Sequence, residues 1–226
     1  MIVRIGSVLS ADEVTSIRAR LEPGVWEDGR LTAGHQSAQV KANLQLPQSD
    51  AAAREASDSV LRALERNPSF VSATLPRHVY PPLFNRYSPG MSFGNHVDNA
   101  VRQIPGTHHR LRTDVSATLF LSAPEEYDGG ELVVEDTFGT HSVKLAAGDM
   151  VVYPASSLHR VEPVTRGVRE AAFFWIQSMV RDDGERTLLF ELDTTIRDLT
   201  QKGADRDCVV RLTASYHNLL RRWADL

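Results

Sequence analysis

A run of short strands separated by turns, between residues 77 and 181, most constrains the fold of this chain. The segment 115–122 alternates strictly: one face carries Val115, Ala117, Leu119 and Leu121, and the other carries Ser116, Thr118, Phe120 and Ser122. Successive side chains of a strand point to opposite faces, so this pattern indicates a strand between two layers. Further strands are predicted at residues 131–135, 141–145, 150–153, 161–164 and 169–180. Strands of this length and spacing predict an antiparallel jelly roll, or double-stranded β-helix.

The flanking regions are predicted to be helical. Ser10 and Glu13 match a capping box at the start of one helix, and a second helix is predicted over residues 50–66. After residue 182, two apolar stripes separated by Gly203 indicate an antiparallel helix pair. We therefore expect an α+β chain with three regions: a helical and mixed support at 1–76, the jelly-roll core at 77–181, and a helical extension at 182–226.

Charge and cysteine content exclude several classes of protein. The net charge of -4 and pI near 6.1 provide no overall attraction to nucleic acid or anionic membranes. No apolar segment approaches the roughly 20 residues of a membrane helix, and the first residues do not resemble a signal peptide. The single cysteine, Cys208, cannot form an internal disulfide. We expect a cytoplasmic protein with no nucleic-acid partner and no membrane association.

Two histidines and one carboxylate form the main candidate site. His96 and Asp98 are separated by one residue, so on extended backbone both project from the same face. His159 follows a later strand, and strands distant in sequence lie opposite each other in a jelly roll. Two imidazoles and one carboxylate can occupy one face of an octahedral metal and leave three positions open, which suits non-haem Fe(II). A His-x-Asp pair alone is a weak signal, because such pairs are common on surfaces.

Arg169, ten residues after His159, strengthens this interpretation. An organic acid that chelates the metal needs an anchor for its far carboxylate, and a guanidinium can bind that carboxylate with two parallel hydrogen bonds. Taken alone, Arg169 would be interpreted as a solvent-exposed charge at a strand edge. The four residues in this order predict a metal site that also binds an organic acid.

The residues around this site resemble a known group of enzymes. The segment Tyr87–Asn99 (YSPGMSFGNHVDN) resembles the region of the first metal ligands in prolyl-4-hydroxylase-type dioxygenases. The stretch from Gly148-Asp149 through His159 to Arg169 resembles the second half of the same group. The motif match covers residues 83–180. In length and in its helical flanks, the whole chain resembles the bacterial PKHD-type hydroxylases.

The resemblance implies Fe(2+) on His96, Asp98 and His159, and the C5 carboxylate of 2-oxoglutarate on Arg169. It also implies O2 as co-substrate, L-ascorbate as a supporting reductant, and hydroxylation with succinate and CO2 as co-products. The substrate is left open between a peptide or protein side chain and a siderophore-related small molecule. Tyr87 stands where such enzymes often place a tyrosine against the co-substrate, although a core tyrosine is the alternative. Some relatives place a serine two residues after the arginine; here that position is Ala171, so the second donor to the carboxylate is undetermined.

Two other functions and two structural questions remain open at this point. A cupin-like metal-binding protein would use the same fold without 2-oxoglutarate, but it would cluster its ligands in one motif and would not need Arg169. A carbohydrate- or protein-binding sandwich would use no metal. The loop 99–112 follows the candidate metal pair and is a candidate substrate lid. The C-terminal helices either cover the jelly roll or form a homodimer interface.

Overall fold

The computed structural model describes residues 1–137 and 139–226, and in these ranges it contains 17 strands and five α-helices. The strands are β1 (Val3–Ile5), β2 (Glu27–Asp28), β3 (Lys41–Ala42), β4 (Leu44–Gln45), β5 (Pro76–Val79), β6 (Leu83–Tyr87), β7 (Ser92–His96), β8 (Val101–Gln103), β9 (Arg110–Arg112), β10 (Val115–Phe120), β11 (Tyr127–Gly129), β12 (Leu132–Asp136), β13 (Gly139–Val143), β14 (Met150–Pro154), β15 (Leu158–Val161), β16 (Val164–Gly167) and β17 (Arg169–Ser178). The helices are α1 (Ala11–Leu21), α2 (Ala51–Glu65), α3 (Pro68–Thr74), α4 (Asp183–Gln201) and α5 (Arg206–Trp223).

Most strands belong to two antiparallel sheets. The major sheet has the order β1-β14-β10-β17-β6-β4-β2, with β5 also paired to β17, and the minor sheet has the order β13-β12-β15-β7-β3. Strands that are neighbours in a sheet are mostly distant in sequence, as a jelly roll requires. The predicted α+β fold with a jelly-roll core is confirmed.

The two faces predicted for the segment 115–122 lie in two different environments. Ala117 and Leu119 on β10 are almost completely buried in the main hydrophobic core, against Ile17 of α1 and Val60 of α2. Full burial of a leucine side chain such as Leu119 contributes about 1.5–3 kcal/mol. Ser116 and the other alternate residues of β10 face the opposite side of the sheet. One face of the major sheet therefore packs on the N-terminal helices, and the other remains available for a site.

The N-terminal helices begin as predicted, with one addition. The Ser10–Glu13 capping box is present, and α2 ends before Asn67. Asn67 also caps a further helix, α3, by accepting a hydrogen bond from the backbone N–H of Phe70 at 2.9 Å, and Pro68 occupies its first turn. The Asn-Pro pair therefore ends one helix and starts another, since proline is favoured at the first helical position.

The segment 39–46 divides between the two sheets. A 3-10 helix at Ser37–Val40 precedes β3, which pairs with β7 of the minor sheet. The next strand, β4, pairs with β6 of the major sheet. The chain therefore crosses from one sheet to the other within five residues, and this crossing brings Lys41 to the inside of the fold, where it is 6% exposed.

The predicted C-terminal helix pair is confirmed, and its stripes pack against the rest of the fold. Leu189 of α4 is buried with Leu75 and Val180, and Tyr216, Leu219 and Trp223 of α5 pack against this cluster. Leu188, the neighbour of Leu189 on α4, is 56% exposed, so the buried face of α4 is narrow. Within the described ranges, none of the helices combines the length and hydropathy needed to cross a membrane.

Candidate active site

His96 and His159 are directly opposed on the paired strands β7 and β15. Their ring centroids lie 4.1 Å apart, and Asp98 Oδ2 lies 3.7 Å from His159 Nε2. One candidate ligand atom from each of the three residues lies within 4.8 Å of the others. Among residues 1–137 and 139–226, this is the one group of three or more histidine, cysteine or acidic side chains arranged to hold an ion.

Backbone carbonyls fix the orientation of both imidazoles. His96 Nδ1 lies 2.8 Å from the Gly94 carbonyl, and His159 Nδ1 lies 3.0 Å from the Ser157 carbonyl. A carbonyl oxygen can only accept a hydrogen bond, so each Nδ1 carries the proton and each Nε2 keeps a free lone pair. Neighbouring groups that orient metal-binding histidines in this way are a regular part of metal sites.

Ser116 and Phe93 fix the remaining geometry of the triad. The Ser116 hydroxyl donates a hydrogen bond of 2.6 Å to Asp98 Oδ2. The ring of Phe93 stacks on that of His96, with 3.6 Å between the centroids. These contacts restrict the carboxylate and one imidazole before any ion is bound.

Burial keeps the His96 imidazole neutral. Two main effects lower the pKa of His96 from 6.5 to about 4. The larger is burial of the ring, and the smaller is repulsion from His159 when that ring is protonated. At neutral pH the ring is therefore uncharged, which is the form that binds a metal. The two histidines and the carboxylate fit an Fe(II) ion as a donor set.

Arg169 lies at the start of β17 and is 1% exposed. Its guanidinium lies 5.3 Å from the ring centroids of both Tyr87 and Phe120. Its Nε and Nη1 have no hydrogen-bond partner among the described residues, and no acid of those residues forms an ion pair with it. Burial of a cation without a partner is costly, so this arginine fits a site for an anionic ligand. The alternative interpretation of Arg169, a solvent-exposed charge at a strand edge, is excluded by its burial.

Tyr87 fits both of the interpretations that its position allowed. It is 1% exposed and belongs to a hydrophobic cluster with Phe120 and Tyr153, as a core residue would. It also lies opposite Arg169 in the β6–β17 register and lines the same pocket. Burial raises the pKa of its hydroxyl, which therefore stays protonated and can donate a hydrogen bond.

The triad and Arg169 line one cavity, the central pocket, which is open to solvent and has an enclosed volume of about 70 Å³. Tyr153 and Thr118 of the major sheet also line it, and burial raises the pKa of Tyr153 well above its usual value. Sequence reasoning did not identify Tyr153 as a site residue, although its alternation with Val152 on β14 could have revealed its inward direction.

Opposite Ala171, the structure places Asn85 on β6. Ala171 has no side-chain donor, and Asn85 lines the central pocket with a buried Oδ1 that has no partner among the described residues. Both side-chain polar atoms of Asn43, Oδ1 and Nδ2, are also buried without a hydrogen-bond partner among the described residues. Polar groups of this kind surround the pocket end near Tyr87 and Arg169, and no sequence signal distinguished them from ordinary loop asparagines.

The loop 99–112 forms a hairpin of β8 and β9 beside the pocket. Asn99 and Arg102 line the pocket, whereas His108 and His109 are exposed. The Arg102 guanidinium stacks over the Trp175 ring at 3.7 Å from its centroid. Trp175 is 4% exposed, as expected for a core residue, but it also lines the pocket.

Comparison with known proteins assigns the chain to a family. Residues 82–177 match the 2OG-Fe(II) oxygenase superfamily, and residues 183–225 match the PKHD-type hydroxylase C-terminal domain. A PKHD-type hydroxylase of Methylobacterium nodulans is 60% identical over 227 residues, and one of Stutzerimonas stutzeri is 57% identical over 226 residues. Both alignments cover 100% of this chain and 100% of the relative.

Solved structures share the fold at low sequence identity. A Pseudomonas putida prolyl-4-hydroxylase matches with a TM-score of 0.53 and 22% identity, covering 78% of this chain and 92% of that one. HygX from Streptomyces hygroscopicus, solved with nickel and 2-oxoglutarate bound, matches with a TM-score of 0.54 and 17% identity, covering 78% and 82%. The full-length relatives favour an oxygenase over the cupin-like and binding-sandwich alternatives. The chain belongs to the PKHD-type hydroxylases and is an enzyme of the 2OG-Fe(II) oxygenase superfamily.

Proposed function

We propose that this enzyme hydroxylates an organic substrate at an Fe(II) ion held by His96, Asp98 and His159, with 2-oxoglutarate anchored at Arg169. The observation that carries the proposal is the buried guanidinium of Arg169, which lies in the same pocket as the triad and whose Nε and Nη1 have no partner among the described residues. A metal triad alone is compatible with many reactions. A buried cation in the same pocket favours a co-substrate whose acid group binds Arg169 while another part of the molecule reaches the metal.

The triad would hold the metal on one face. His96 and His159 offer Nε2, and Asp98 offers a carboxylate oxygen whose direction is set by Ser116. Fe(II) together with 2-oxoglutarate supplies the activation of O2 and the oxidation of a substrate C–H bond, with succinate and CO2 as co-products. The chain itself contributes ligand direction and the exclusion of water.

Arg169 would bind the C5 carboxylate and thereby direct the opposite end of the co-substrate to the triad. Its planar guanidinium matches a carboxylate with two parallel hydrogen bonds. We propose Tyr87 as the second donor, since its protonated hydroxyl lines the pocket from the strand paired with Arg169. Ala171 cannot take this role.

We also propose the cellular location of the enzyme, its reductant, the roles of its three regions and its self-association. We propose an action in the cytoplasm, supported by a single exposed cysteine, Cys208, that leaves the fold independent of disulfides. L-ascorbate would support turnover by keeping the iron reduced. The three regions 1–76, 77–181 and 182–226 would act as support, catalytic core and extension. A second copy of the chain would pack on the C-terminal helices at their exposed apolar residues, Leu188 of α4 and Val210 of α5.

Anaerobic titration with Fe(II) and then 2-oxoglutarate tests the proposed site. Chelation of the metal by the co-substrate should produce a visible metal-to-ligand charge-transfer band in the wild-type protein. His96→Ala should abolish the band, and Arg169→Gln should shift it to a much higher 2-oxoglutarate concentration. Arg166→Gln, an exposed arginine of β16, is the matched control and should titrate as wild type. A band unchanged by Arg169→Gln would contradict the proposed anchor.

A further inference from the structure

Two cations besides Arg169, namely Lys41 and Arg102, line the central pocket. Trp175, on which Arg102 stacks, lies six residues beyond Arg169 on β17 and on the same face. At the rise of a β-strand, six residues span about 20 Å. The C5 carboxylate of 2-oxoglutarate, anchored at the Arg169 end of β17, would therefore lie at the opposite end of this strand segment from Trp175, the residue on which Arg102 stacks.

Lys41 is a buried ammonium with unused donors. It is 6% exposed, and its Nζ donates one hydrogen bond, to Thr32 Oγ1 at 3.2 Å. It also lies over the rings of Phe93 and Phe173, at 5.1 and 5.9 Å from their centroids. No carboxylate of the described ranges forms an ion pair with it. An ammonium has three donors, so two remain for a ligand in the pocket.

Arg102 is similarly without an acid partner in the part of the chain that the structure describes. Its guanidinium lies 3.7 Å from the Trp175 centroid and 5.5 Å from that of Tyr80. Stacking on aromatic faces holds the plane of a guanidinium and leaves its N–H edge free for hydrogen bonds. The two aromatic contacts therefore orient Arg102 without neutralising it.

Both cations are linked to the triad through neighbouring side chains, Lys41 through one residue and Arg102 through two. Lys41 lies over Phe93, which stacks on His96. Arg102 lies over Trp175, whose register partner is Ser116, the residue that donates to Asp98. An anion bound between Lys41 and Arg102 would therefore place the rest of its molecule beside the candidate metal.

We propose that Lys41 and Arg102 form an anion-binding site for the substrate, which would carry a carboxylate or phosphate group next to an apolar body. The apolar body would contact Phe93 and Phe173, the two rings that Lys41 covers. The anion site depends only on the pocket; its assignment to the substrate rests on the proposed function. This site would select small organic anions and disfavour neutral molecules of the same shape.

Binding of small probes by calorimetry tests the anion site without turnover. The probes are benzoate, inorganic phosphate and benzamide, the last being the neutral counterpart of benzoate. Wild-type protein should bind benzoate or phosphate about tenfold or more tightly than benzamide, since hydrogen bonds to charged groups are the stronger ones. Benzoate and phosphate, compared directly, distinguish a carboxylate from a phosphate substrate.

Substitutions identify the residues that bind the anion. Lys41→Met and Arg102→Gln should each weaken anion binding about fivefold or more and leave benzamide binding unchanged. Arg110→Gln, an exposed arginine of the same hairpin, is the matched control. Arg169→Gln should leave intact the anion binding that depends on Lys41 and Arg102, so this binding is independent of the 2-oxoglutarate anchor.

Three results would overturn the proposal. The first is anion binding no tighter than that of benzamide, which includes the absence of binding by any probe. The second is anion binding lost in Arg169→Gln but kept in Arg102→Gln, which would place it at the co-substrate anchor. The third is a loss of 2-oxoglutarate affinity in Lys41→Met or Arg102→Gln, which would assign these cations to the co-substrate.

Discussion

Tyr87 and Arg169 lie directly opposite each other on β6 and β17, and each is 1% exposed. The guanidinium carbon is 5.3 Å from the tyrosine ring centroid, so an aromatic face supports the charge while Nε and Nη1 lack partners among the described residues. An interior cation held in this way stabilises a bound anion more than it stabilises the fold. This relationship leads to the first prediction.

Arg169→Met is expected to leave the ligand-free protein as stable as wild type, or more stable, because it removes a buried charge without an acid partner. The same variant should lose the increase in melting temperature that 2-oxoglutarate causes in the presence of a divalent metal. Differential scanning calorimetry with and without 2-oxoglutarate measures both effects. A variant that unfolds much earlier than wild type but keeps its response to 2-oxoglutarate would show that Arg169 is structural.

Ser116→Ala removes the hydroxyl that donates to Asp98 Oδ2 at 2.6 Å. Loss of a group that orients a metal-binding carboxylate is expected to weaken metal affinity by about 10- to 100-fold. Competition of Fe(II) with a chromogenic chelator under nitrogen measures this change. Ser142→Ala, an exposed serine of β13, is the control and should bind as wild type. Equal affinities in the two variants would exclude a role of Ser116 in orienting Asp98.

Gly130→Ala is expected to destabilise the protein by about 2–4 kcal/mol. Gly130 has a φ of +68°, and an added Cβ would lie 2.9 Å from Val164 Cγ2 and 3.0 Å from Arg169 Cδ. Gly106→Ala is a matched control, because its φ is +72° and no neighbouring atom lies within 4 Å of the added Cβ. Gly106→Ala should lower the free energy of unfolding only by the backbone strain, about 1–2 kcal/mol. Urea unfolding compares the two, and equal losses would show that the contact with Arg169 is easily relieved.

Lys41→Met is expected to raise the free energy of unfolding at pH 7. The pKa of Lys41 is lowered from 10.5 to about 8, mainly by burial and to a smaller extent by the positive charge of Arg102. Below pH 8 both folded and unfolded chains carry the proton, and the cost of the buried charge is fully present. Between pH 8 and 10.5 the unfolded chain binds more protons, so this cost declines as the pH rises. Since one pKa unit corresponds to ~1.4 kcal/mol, the cost at pH 7 is at most about 3 kcal/mol.

Loss of the hydrogen bond to Thr32 reduces the expected gain of Lys41→Met to about 1–2 kcal/mol. Urea unfolding at pH 7 and pH 10 measures this gain, which should be smaller at the higher pH. Lys202→Met, at the exposed end of α4, is the control and should show little pH-dependent change. A Lys41→Met protein less stable than wild type at pH 7 would show that the ammonium serves the fold.

The fold could be predicted from local patterns because alternation and helical periodicity were strong where the core is large. The two faces of β10 are an example: Leu119 packs toward the helices, and Ser116 faces the pocket. The pairing of His96 with His159 was predictable from the motif and the topology of a jelly roll. The structure brings both together with Asp98 and Arg169 in one pocket, while their roles stay a prediction.

The remaining pocket residues could not be predicted, because they depend on contacts between segments distant in sequence. Lys41 stands in a polar segment with no motif, and its burial results from the crossing of the chain between the two sheets. The position of Arg102 over Trp175 likewise depends on how a hairpin folds over β17. The helix α3 was missed for a local reason, since Asn67-Pro68 signals both a helix end and a helix start.

Reaction of the protein with Fe(II), 2-oxoglutarate, ¹⁸O2 and L-ascorbate, which takes up the second oxidising equivalent when no substrate is present, measures the proposed chemistry itself. The proposed function predicts conversion of 2-oxoglutarate to succinate that carries one ¹⁸O atom in its new carboxylate, detected by mass spectrometry. Asp98→Ala should form none, while Arg166→Gln should match wild type. Wild-type protein that binds Fe(II) and 2-oxoglutarate but forms no labelled succinate under ¹⁸O2 would contradict the account.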